Sequence, residues 1–103
     1  MTCHSRNIVL TSEPRGAGPI PLRSVALVIE VASSTLDRDM RGKPPIYARA
    51  CVPEYWVADV NGRIIHQMWR PEGEAYAERR EGPFGEPITV ATVEGITVET
   101  SAL

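Results

Sequence analysis

Glu30 is the lone acid within Val25 to Val31 (VALVIEV), a run otherwise apolar and largely β-branched. Such a run predicts a strand covered on both faces, the kind found at the centre of a mixed sheet. A carboxylate there is costly unless something pairs with it or coordinates it. The fold must therefore bring a partner to Glu30, and the chain downstream offers one. A polar, turn-forming run, SSTLDRDMRGK, leads to Lys43, the only lysine in the chain. An aromatic and branched segment, Tyr55 to Val60, then returns as a second strand.

At 103 residues, the length suits a single domain spanning 1-103 with one core. No stretch approaches the roughly 20 apolar residues of a membrane span. The N-terminal residues MTCHSRNIVL lack the apolar centre of a signal peptide, so a cytoplasmic location is expected. Cys3 and Cys51 have no metal-ligand spacing, and reduced thiols are the expectation in that compartment. Eleven basic against thirteen acidic residues argue against strong non-specific binding to nucleic acid. A local basic patch is still available from Arg38, Arg41, Lys43 and Arg49.

In chain order, Arg6 to Leu10 predicts a short strand, and the Pro- and Gly-rich TSEPRGAGPIPLRS a loop. Val25 to Ala32 is the buried strand. Ser33, Ser34 and Thr35 are good helix caps, and Asp39, Lys43 and Tyr47 are spaced for one helix face. Gly42, Pro44 and Pro45 oppose an unbroken helix, while proline is welcome in a first turn. A loose turn after Ser34 and a helix from about Pro44 to Cys51 follow from this, ended by Val52-Pro53. Asn61-Gly62 predicts a tight hairpin joining Tyr55–Val60 to Arg63–Trp69. Pro71-Glu72-Gly73 turns into a strand near Ala75 to Arg80. Two short strands, Ile88–Thr92 and Ile96–Thr100, close the chain about a hinge at Glu94-Gly95.

Bland readings of the polar residues are available. Glu30 could pair with an arginine as a structural ion pair, and Lys43 alone would be solvated. Asp39 reads as a helix-entry or salt-bridge residue, and Tyr47, Tyr55 and Trp56 as core. His4 and His66 have no partners at metal spacing. Arg79-Arg80 reads as a solvated strand edge.

An acid in a core strand, a lone lysine on the crossover and a returning strand are nuclease-like parts. Their ordered context is more specific. Glu30-Val31, Ser34-Thr35, Asp39, Lys43, Tyr47-Ala48-Arg49-Ala50, Pro53-Glu54-Tyr55-Trp56 and Asp59 occur in series without a gap. This series resembles the Uma-two family of restriction-endonuclease-like proteins, a branch of the PD-(D/E)XK nuclease superfamily. Val93-Glu94-Gly95-Ile96 is similar to that family's terminal Pro-Gly-Leu turn, and the likeness runs from about Arg6 to the C-terminus. Two departures stand out: Asn7 occupies the place of the family's first metal-binding aspartate, and the family's upstream helix and strand have no counterpart. Cys51 stands where the family has a helical glycine.

The resemblance implies an α/β (α+β) fold: a restriction-endonuclease-like mixed β-sheet with one principal helix and a β-rich C-terminal half, lacking the N-terminal helix. It implies an N-terminally truncated relative, a partial domain, of an endonuclease that hydrolyses DNA phosphodiesters with Mg²⁺ or Mn²⁺ as cofactor, with low activity expected because Asn7 lacks the aspartate's charge. Glu30 would be the carboxylate ligand, the Val31 carbonyl and Asn7 its neighbours, and Lys43 the catalytic lysine. The rival expectation is a non-catalytic module that keeps the fold for binding or homo-oligomerisation, through a sheet edge that another chain could cover. A gene remnant without stable function is a third.

Overall fold

The computed structural model describes residues 5–11, 24–33 and 36–103, without the side chains of residues 5–7, 37 and 38. Most of the predicted 11–24 loop and the Ser34-Thr35 cap lie outside the described residues. Strands β1 (Ser5–Thr11), β2 (Val25–Ala32), β3 (Glu54–Asp59), β4 (Ile64–Glu72) and β5 (Ala75–Pro83) form one mixed sheet in chain order. β2 and β3 run parallel, and every other pairing is antiparallel. The parallel pair requires a crossover, supplied by helices α1 (Leu36–Arg41) and α2 (Lys43–Arg49). A second, two-stranded sheet joins β6 (Pro87–Thr89) to β7 (Thr97–Glu99).

The apolar run of β2 is continuous because its two faces are covered differently. Val28, Tyr55, Val57 and Met68 face the helices and pack with Leu36, Met40, Tyr47 and Ala50. Leu27, Ile29, Val31, Trp56, Ala58 and Ile65 face the C-terminal segment, where Phe84, Ile88, Val93 and Val98 cover them. The pleat places Glu30 on the helix face, with Val28 and Ala32 on either side.

Residues 36–41 are helical where a loose turn is expected. Leu36 and Met40, four apart, both reach the core, and this packing outweighs the polar composition between them. Gly42 then divides the helical region. Pro44 and Pro45 sit in the first turn of α2, whose N–H groups have no intrahelical acceptor to lose. α2 ends two residues before the predicted Cys51. There the Cys51 N–H bonds to the Ala48 carbonyl and the Val52 N–H to the Tyr47 carbonyl, both at 3.0 Å. These are the paired bonds of a left-handed helix stop, and Cys51 takes φ 60° to make them.

The Asn61-Gly62 turn is not the tight hairpin predicted. Asp59 pairs with Ile64, which leaves four residues in the loop. Asp59 Oδ1 accepts the Gly62 N–H at 2.9 Å, and Arg63 takes the left-handed conformation. β4 also runs on through Pro71 and Glu72, so the next turn centres on Gly73, at φ 66°. The final strands are shorter than predicted, and Gly95, at φ 82°, provides their hinge. Arg79 and Arg80 lie on β5, an edge strand of the sheet, as expected.

Candidate active site

Glu30 is fully buried, and its Oε2 accepts a hydrogen bond from the Lys43 ammonium. Lys43 opens α2, so the crossover carries its side chain back over the helix face of β2. Asp39, one turn earlier on α1, is also fully buried, with Oδ1 3.4 Å from the same ammonium. Lys43 is 24% exposed and reaches from the surface into this pair.

Burial pulls the Lys43 ammonium toward deprotonation. The hydrogen bond and charge of Glu30, followed by the charge of Asp39, outweigh it and hold its pKa above the ordinary lysine value. Lys43 is therefore a permanent cation at neutral pH and not a resting base. The half-buried Tyr47 hydroxyl neighbours the same cluster. Burial first, and then the Glu30 charge, push its pKa up, so it too keeps its proton. Its ring packs on Tyr55 with centroids 5.0 Å apart, and the Tyr55 hydroxyl donates to the Asp39 carbonyl at 2.8 Å. That bond ties the end of α1 to β3.

Asn7 lies in register with Glu30 across β1 and β2, at the position expected for a first ligand. Val31 is the next residue of β2, with its side chain in the opposite core. Among the described residues, no three His, Cys, Asp or Glu side chains converge as a metal cluster. Glu30 Oε1, however, is a buried oxygen with no well-formed hydrogen bond among them. A hard cation is the group such an oxygen suits. Mg²⁺ commonly uses one or two carboxylates and keeps several waters, so Glu30 fits a weakly held ion.

The residue pattern brought Glu30 and Lys43 together but gave Asp39 only a helix-entry or salt-bridge role, of which the structure shows the salt bridge. The Asp39–Lys43 spacing of four was the available signal, and burial of Asp39 the missing one. Glu54, which the sequence marks only as part of a motif, has a dense set of partners on the other face. Its carboxylate accepts from Trp56 Nε1, Gln67 Nε2, the Ala91 and Thr92 N–H groups and the Thr92 hydroxyl at 2.6–3.0 Å. This is an anchor for the C-terminal segment and lies away from Glu30. A cavity of about 230 Å³ behind the helices is lined by Met40, Pro44, Met68, Tyr76 and Arg79, and none of Glu30, Asp39 or Lys43 borders it. No described helix is long and apolar enough to cross a membrane.

No curated protein and no solved structure gives a significant match to the chain. A family model does match, over residues 4–101: Uma2 (Uma-two), described as "Putative restriction endonuclease". The chain belongs to this family.

Proposed function

We propose that this Uma2-family chain is a divalent-metal-dependent DNA endonuclease, with Glu30 as its carboxylate ligand and Lys43 as its catalytic lysine. The observation that carries the reading is a fully buried Glu30 with one oxygen on Lys43 and the other without a well-formed hydrogen bond among the described residues. A bound Mg²⁺ would polarise the phosphoryl oxygen and lower the pKa of an attacking water. Lys43, charged and already aimed at the cluster, offsets negative charge growing on the phosphate in the transition state. Tyr47 adds a hydroxyl that stays protonated beside Glu30. Asn7 and the Val31 carbonyl are the remaining candidate contacts to the ion. Asparagine offers only a neutral oxygen, so ion affinity and turnover are low.

The test is plasmid cleavage with Mg²⁺ or Mn²⁺ by the wild type, Glu30→Ala and Asn7→Asp. Activity abolished in the first variant and raised in the second supports the endonuclease. Wild type and Asn7→Asp both inert, with intact folds, would overturn it. DNA binding should also weaken steeply with salt, because phosphate contacts release counterions.

The second reading, a module for binding or oligomerisation, has one observation in its favour. β1 ends the described sheet, and Ile8 and Val9 on it are about two-fifths exposed. Self-association that disappears in Ile8→Lys would support it.

A further inference from the structure

Lys43 touches two buried carboxylates, and the two contacts differ. The ammonium is hydrogen-bonded to Glu30 Oε2 and stands 3.4 Å from Asp39 Oδ1. With three N–H donors it can serve both acceptors at once. On the reading of Glu30 as an ion's ligand, that arrangement poses a conflict. A divalent cation and an ammonium compete for one carboxylate and repel each other there. Lysine sits on a flexible four-carbon stem, and a lysine displaced from its acceptor swings into solvent. Asp39 is positioned to prevent this. It lies one turn back along the crossover, is fully buried, and is anchored because Tyr55 holds the Asp39 carbonyl at 2.8 Å.

We infer that Asp39 is a positioning residue that gives Lys43 a second seat, so the ammonium can leave Glu30 to an incoming cation without leaving the site. Asp39 acts through Lys43 and need not touch ion or substrate. The role rests on the ion-binding reading for its purpose, but the seat itself exists without the ion. A purely structural Asp39 would leave the lysine untethered once Glu30 was removed.

The experiment uses the full chain labelled with [¹⁵N]lysine, whose single side-chain ammonium signal needs no assignment because Lys43 is the only lysine. Without metal, Glu30→Met should keep a resolved, slowly exchanging ammonium signal. Glu30→Met/Asp39→Asn should show the fast-exchanging signal of a free lysine. A free-lysine signal in folded Glu30→Met alone overturns the inference. If Glu30→Met does not fold, metal-free Asp39→Asn decides: faster ammonium exchange than wild type supports the second seat, and unchanged exchange overturns it. Added Mg²⁺ then separates the two readings. In wild type it should move the signal and leave it slow to exchange. If Mg²⁺ fails to move it while the metal-free variants behave as stated, the ion-binding reading fails and the Asp39 seat stands.

Discussion

The Glu54 carboxylate accepts both the backbone N–H and the side-chain hydroxyl of Thr92, each at 2.9 Å, across 38 positions of sequence. With Ala91, Gln67 and Trp56 as further donors, it fastens residues 90–92 against β3 and β4. Burial alone would raise the Glu54 pKa; the donors from Ala91, Gln67, Trp56 and Thr92 overcome this and lower it. A carboxylate depressed in the folded state contributes stability that is complete above its unfolded pKa, about 4.3. That contribution is lost as pH falls through the lower folded value. Wild type should therefore lose stability below about pH 4. Glu54→Gln, which keeps the size and replaces acceptor capacity with an N–H₂ group, should cost about 2–4 kcal/mol at pH 7. It should also flatten the acid limb of a denaturation series. Equal acid sensitivity in both proteins would disprove the assignment.

Cys51 occupies the left-handed position that ends α2, at φ 60°, on the surface. A side chain there costs about 1–2 kcal/mol that glycine avoids. Cys51→Gly should raise stability by about 1 kcal/mol, or about 4–8 °C in Tm for a domain of this size. Cys51→Ala should change little, since it keeps the Cβ. Stabilisation by alanine as great as by glycine would place the effect in the thiol and not the backbone.

These two sites show which parts of the fold the residue pattern could carry. An acid in an apolar run demanded a buried partner, and a lone lysine followed, so the Glu30–Lys43 pair could be anticipated. The motif order also led to the right family. The Glu54 anchor could not be foreseen, because apart from Trp56, two residues on, its donors come from 13 to 38 residues away. α1 was hidden because its stability comes from Leu36 and Met40 meeting the sheet, while its own composition favours a turn. The Asn-Gly signal misled because the Asp59 side chain closes the loop in place of a tight backbone turn.

Gly62 gives that loop its own test. Its φ is not positive; what it needs is space, since a Cβ there would stand 2.3 Å from Asp59 Oδ2. Gly62→Ala must rotate the Asp59 carboxylate and break its bond to the Gly62 N–H, for a loss of about 1–2 kcal/mol. In an Asp59→Ala background the obstacle is already gone. The two substitutions should then be less than additive in urea denaturation, and strict additivity would refute the steric account.

Lys43→Met bears most directly on the site. Removing the ammonium takes away the cation that the buried Glu30 and Asp39 side chains share. Breaking a buried pair from one side costs about 3–5 kcal/mol, and the partial exposure of Lys43 places this case near the lower end. The lost charge can be replaced from solution only by a cation small enough to reach Glu30. Mg²⁺ at a hundredfold excess over its Kd would return about 2.7 kcal/mol. Thermal unfolding of Lys43→Met should thus show a larger rise in Tm with Mg²⁺ than the wild type, where lysine competes for the same carboxylate. Glu30→Met/Lys43→Met should show no such rise. If Mg²⁺ shifts the single and double variants alike, the ion binds elsewhere, and Glu30 is no ligand.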